Sequence, residues 1–150
     1  MRYRTLLNIL GALLAIIGIT MVIPIFISIG FGETDRDLNG FLVSALICIG
    51  IGLPDWAFTR HNKSLTNRDG FAIVTFSWII TAVAGALPFY FSGSIPNITD
   101  AFFEAMSGVT TTGATIIGNP STLPHLPNGI ESLSHGILFW RSFIQWIGGM

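Results

Sequence analysis

Four threonines and a glycine, Thr110, Thr111, Thr112, Gly113 and Thr115, fall within one short stretch of an otherwise apolar chain. Such a cluster suits the binding of a dehydrated alkali cation. The ion needs oxygens in place of its water, and a selectivity filter supplies them from backbone carbonyls that face one axis. Successive carbonyls face the same way only if neighbouring residues alternate in backbone handedness. Glycine enters the left-handed state at little cost, so Gly113 stands where such a strand needs it. The threonine hydroxyls can add further oxygens or tie the strand to its surroundings.

The residues just before this cluster should aim it. Residues 100–107 (DAFFEAMS) read as a short helix, with Thr99 as its cap, Asp100 in the positively polarised first turn and Gly108 as a left-handed stop. Eight residues cover roughly 12 Å, less than half of the ~30 Å hydrocarbon core. The helix therefore cannot cross a membrane, and a re-entrant half-helix that ends near the midplane fits its length. Its negatively polarised C-terminal end would then face the interior and attract a cation. Irregular backbone at that depth is tolerated only where protein buries it or where it lines a watery cavity. Two charged residues lie nearby. Glu104, in the half-helix, could attract cations directly, but capping, pairing or contact with water near the outer vestibule is the favoured reading. Arg141, inside an apolar stretch, is a functional candidate by default. Near the outer end of an inward-running helix it reads as an anchor, snorkelling or paired with Glu104 or Asp100.

The surrounding elements are those of a membrane protein. Only 10% of the residues are charged and 51% are hydrophobic, against about 25% charged in soluble domains. Residues 5–32, 38–54 and 71–99 contain no Asp, Glu, Lys or Arg. The first run far exceeds the 7–15 apolar residues of a signal peptide, so it reads as a retained helix. Transmembrane helices are expected at about 5–29, 38–58 and 70–91, with a kink near Pro24. Gly11, Ala15 and Gly18 give the first helix one smooth face for close packing. A truncated fourth helix is expected from about 134, the chain reading as a fragment cut inside it. Basic residues gather at the N-terminus (Arg2, Arg4) and in the loop 59–69 (Arg60, Lys63, Arg68). The positive-inside rule places both in the cytoplasm, so the half-helix enters from outside.

Several function classes drop out. The net charge of −1 and the lack of a basic block argue against nucleic acid as a partner. No phosphate-loop pattern occurs, and no Lys or Arg lies between Asp69 and Arg141. His61, His125 and His135 have neither the spacing nor the acidic company of a metal site and read as loop residues. The lone Cys48 excludes an intrachain disulfide. No nucleophile–base–acid set appears in the apolar core, so the chain does not read as an enzyme, and no cofactor is expected.

The run PFYFSGSIPNITDAFFEAMSGVTTTGAT, followed by FWRSFIQWIGG, resembles the first pore repeat of the Trk/Ktr/HKT superfamily of potassium transporters. The resemblance is strongest to its TrkH-type branch, the bacterial uptake subunits with two extra helices before that repeat, and it covers essentially the whole chain. It implies an all-α membrane protein in which residues 1–69 hold the two N-terminal helices. Residues 70–150 then hold the first helix–pore-loop–helix repeat of a pseudo-fourfold cation-channel-like fold: helix 70–91, half-helix 100–107, filter strand 110–115 and the last helix.

By analogy with the channel pentapeptide TVGYG, the carbonyls of Thr111, Thr112, Gly113 and Ala114 would line the ion path. Potassium would sit at Thr111 and Thr112, and Thr110, Thr115, Gly108, Glu104 and Arg141 would act in support. The implied function is potassium uptake across the bacterial cytoplasmic membrane, with the ion as substrate and one quarter of the filter in this segment. Channel-like passage and proton- or sodium-coupled symport both fit these residues. Membrane lipid, a second copy of the full-length chain and a cytosolic nucleotide-binding ring subunit of the TrkA type are the implied partners. The alternatives are a homotetrameric cation channel subunit and a non-transporting membrane scaffold or assembly protein in which residues 110–115 form only a turn.

Overall fold

The computed structural model describes residues 3–59, 66–118, 123, 124, 126 and 128–150. Arg2, Arg60, His61, Lys63 and His125, which entered the orientation and metal-site arguments, lie outside the described residues. The described residues form helices and connecting segments, with no β-strand among them. Three spans are long and apolar enough to cross a membrane: Tyr3–Gly30, Asp35–Phe58 and Asn67–Phe91.

The first span is two helices rather than one, α1 (Tyr3–Thr20) and α2 (Val22–Gly30). The break falls at Met21, a turn earlier than the kink expected at Pro24. Proline has no N–H, and its ring clashes with the carbonyl four residues back, which here belongs to Thr20. Helix α3 (Asp35–Phe58) starts three residues before the expected position, because extended Thr34 turns the chain and Asp35 and Asp37 occupy the first turn, where negative charge is favoured. Helix α4 (Asn67–Phe91) likewise starts early, on a capping box between Thr66 and Asp69.

The smooth face of α1 meets small residues of α3. A methyl group at Gly52 would lie 2.6 Å from the Ala15 nitrogen and from the Gly11 carbonyl oxygen. One at Gly18 would lie 2.9 Å from Cys48 Cβ. Gly52→Val is therefore expected to force the helices apart and cost about 1–3 kcal/mol. Thermal unfolding of the detergent-solubilised protein measures this, and an unchanged midpoint would contradict the close contact.

Two ends of the bundle follow from the chain path. Asn8 donates to the Trp56 carbonyl (2.6 Å), joining the start of α1 to the end of α3. At the other end lie the turn between α2 and α3, the end of α4, and the starts of α5 (Ile98–Val109) and α6 (His135–Gly149). There a methyl group at Gly40 would meet the Ser92 nitrogen at 2.6 Å. The buried core is shared by α3, α4, α5 and α6 through Phe41, Phe89, Ala101, Ala105, Trp140 and Ile144. The Trp140 indole N–H donates to the Gly85 carbonyl (3.0 Å), so this buried ring leaves no polar atom orphaned. Large apolar side chains such as Phe26, Leu46, Phe58 and Phe71 are exposed on the outside, as a lipid-facing surface requires.

Candidate ion-filter segment

Helix α5 is the short helix that the sequence placed before the threonine cluster, but both of its ends differ from expectation. It begins at Ile98 because Asn97, not Thr99, caps it, accepting from the Thr99 N–H (2.9 Å). It also runs through Gly108, which is helical and buried; a methyl group there would come within 3.0 Å of Ile144 Cδ1. Gly108 thus permits close packing by α6 rather than stopping the helix. With 12 residues the helix covers roughly 18 Å, still short of the ~30 Å core.

The stop belongs to Thr111. Its N–H donates to the Gly108 carbonyl (2.9 Å), and the Thr112 N–H reaches back to the Ser107 carbonyl (3.0 Å). This pair of bonds is a Schellman motif, whose left-handed position is usually glycine. Here a β-branched threonine takes it, at φ 56°, a state that costs of order 1–3 kcal/mol. Gly113 follows at φ 75°. The chain is left-handed at 111, right of zero no longer at 112, and left-handed again at 113. That is the alternation a row of aligned carbonyls needs, with Thr111 in place of Gly108 as the left-handed partner of Gly113.

From Thr112 the chain runs back alongside α5 toward the end where it entered. Three ties hold it. Ser107 Oγ donates to the Ala114 carbonyl (2.6 Å). Thr115 Oγ1 lies 3.0 Å from both oxygens of Glu104 and accepts from the Ile117 N–H (3.1 Å). The Ile116 N–H donates to Glu104 Oε2 (3.2 Å). Glu104 itself is buried, its side chain 1% exposed, and Arg141 Nε meets its Oε1 at 2.6 Å. Of the two partners open to Arg141, Glu104 is the one it takes. The space enclosed by Glu104, Ser107, Gly113 and Arg141 is only about 10 Å³, no more than one water needs.

The segment is thus fixed from behind and open in front, since residues 110–115 are all exposed. A methyl group at Gly113 would meet nothing within 4 Å. The Ala114 carbonyl, expected on the ion path, already accepts from Ser107 at the back. Thr110 and Thr112 hydroxyls pair with each other (2.8 Å), and Thr110 Oγ1 also donates to the Met106 carbonyl (2.8 Å). At the tip, α6 comes so close that a methyl group at Gly148 would lie 1.9 Å from the Val109 carbonyl oxygen. Gly148 is therefore a close-contact residue. Ser107 was not singled out in the sequence, although a hydroxyl three residues after Glu104 on the same helical face was a readable signal.

The family model described as "TrkH: Cation transport protein" matches residues 39–150. The chain belongs to the TrkH cation-transport family. Among TrkH relatives, the Trk system potassium uptake protein of Vibrio parahaemolyticus is 39% identical over 155 residues, covering 100% of this chain and 29% of the relative. The protein of the same name from Escherichia coli is 40% identical over 153 residues, with the same coverage of 100% and 29%. An uncharacterized cation transporter of Methanocaldococcus jannaschii is 37% identical over 145 residues, covering 97% of this chain and 28% of the relative. The crystal structure of the potassium transporter TrkH from Vibrio parahaemolyticus superposes with a TM-score of 0.83 at 37% identity, covering 99% of this chain and 30% of that one. This chain therefore spans less than a third of the length of these TrkH relatives. They are named as transport proteins, not enzymes, and the all-helical architecture is that of the TrkH structure.

Proposed function

We propose that this segment forms one wall of a filter through which dehydrated potassium enters the cell, as part of a potassium-uptake protein of the cytoplasmic membrane. The observation that carries the reading is the alternating backbone of Thr111, Thr112 and Gly113 on a segment tied down at its back and exposed at its front. Carbonyls of these residues replace part of the ion's hydration shell, with potassium at Thr111 and Thr112. Ala114 adds its carbonyl through the lone pair that Ser107 leaves free. Thr110 and Thr115, together with Gly108, Glu104 and Arg141, hold the segment in shape.

One such wall is a quarter of a site. Three further repeats of the full-length protein complete the ring, which is why residues 110–115 face open space here. Basic residues at the end where α1 begins put the N-terminus in the cytoplasm, so α5 enters from outside and points its negative end inward. We further infer a homodimer of full-length chains, regulated by a cytosolic nucleotide-binding ring subunit of the TrkA type. Full-length protein in liposomes under a potassium gradient tests the reading. Potassium should flow faster than sodium, and vesicles that pass no potassium would contradict it.

A further inference from the structure

The first turn of α6 is capped from an unexpected place. Ser134 accepts from the Ile137 N–H (3.4 Å), as an N-cap should. The two donors before it are taken by Glu33, in the turn between α2 and α3. Its Oε1 accepts from the His135 N–H and lies 3.0 Å from His135 Nδ1, and its Oε2 accepts from the Gly136 N–H at 3.3 Å. Phe31 stacks on the His135 ring with centroids 4.0 Å apart and planes within 3°. Beneath this contact α2 abuts α6, since a methyl group at Gly136 would lie 2.1 Å from Ser28 Oγ. Burial pushes the Glu33 carboxyl up, but the hydrogen bonds it accepts, including those from the His135 and Gly136 backbones, outweigh this and hold it below its ordinary range. It is therefore a carboxylate at neutral pH, the charge favoured at a helix N-terminus.

Helix α6 carries Arg141 six residues further on, roughly 9 Å along its axis. Arg141 holds Glu104, and Glu104 holds Thr115 and Ile116. We propose that Glu33 is a positioning residue of the filter: it fixes the outer end of α6 and, through Arg141 and Glu104, the segment behind which they stand. The two N-terminal helices then do more than cover the repeat, since they set the height of the helix that anchors its filter. The inference rests on the filter reading above.

The test uses full-length protein in liposomes, with the potassium-to-sodium flux ratio as readout. Glu33→Ala should lower the ratio roughly threefold, within the range of couplings carried through packed elements. Glu33→Gln, which keeps one acceptor oxygen, should fall between. Asp35→Asn removes the same charge two residues away, in the first turn of α3, and should leave the ratio unchanged, which separates the tie from the field at the mouth. In a Thr115→Val background, where only the Ile116 N–H still ties the segment to Glu104, Glu33→Ala should add less than it does in the wild-type protein. If Glu33→Ala fails to assemble, Glu33→Gln decides. Wild-type ratios in both Glu33 variants, or an equal loss in Asp35→Asn, or full additivity with Thr115→Val, would overturn the proposal. A wild-type protein without potassium preference would instead overturn the filter reading itself.

Discussion

Gly113→Ser is expected to lower potassium-over-sodium discrimination about tenfold, because a side chain in the left-handed state costs about 1–2 kcal/mol and each 1.4 kcal/mol is tenfold. The cause is conformational, not steric. Gly113 stands at φ 75°, and the space around a methyl group there is empty to 4 Å. Serine can relieve the cost only by rotating the backbone, which would turn the Thr112 and Gly113 carbonyls away from the ion path proposed for them. The order of substitutions follows from the same argument. Asparagine, which tolerates the left-handed region, should do least harm, serine more, and β-branched valine most. Flux ratios of the full-length variants measure this series. A serine variant with unchanged ion preference, or an effect that follows side-chain volume alone, would contradict it.

Arg141→Leu is expected to have the largest effect on the fold of the repeat. It leaves Glu104 buried without its cation, a type of change that costs about 3–5 kcal/mol. The carboxylate keeps its bonds from Thr115 and the Ile116 N–H, which places the cost toward the lower part of that range. Potassium flux should be lost together with stability. Replacing both partners by leucine should restore much of the stability, since apolar side chains can substitute for a buried ion pair. It should not restore ion preference, because Thr115 and Ile116 then have no acceptor behind them. Thermal unfolding and flux of the single and double variants separate these outcomes. A stable, selective Arg141→Leu protein would show that the pair is dispensable.

The half-helix and the exposed segment after it were legible in the sequence because composition changes abruptly there, from apolar helix to threonine and glycine without a charge. The pairing of Arg141 with Glu104 was legible as one of two choices, since few charges share that depth. Helix ends were less readable, and for local reasons. Asn97 captured the start of α5 from Thr99, and the Thr66–Asp69 capping box drew α4 back to Asn67. Glycine preference pointed to Gly108 as the left-handed residue, whereas packing against Ile144 keeps Gly108 helical and leaves the left-handed state to Thr111. Tertiary contact overrode propensity at that position. The Glu33–His135 contact spans 102 residues, and no periodicity or spacing in the chain announces it. His135 read as a loop residue, whereas the fold makes it the first residue of α6 and sets it against Glu33.

Binding of the ion by the backbone of Thr111 and Thr112 is visible in anomalous scattering from crystals of the full-length protein soaked in rubidium. Rubidium should appear at coordination distance from the Thr111 and Thr112 carbonyl oxygens. Ordered rubidium elsewhere along the ion path, with none at these two carbonyls, would show that Thr111 and Thr112 do not bind the ion.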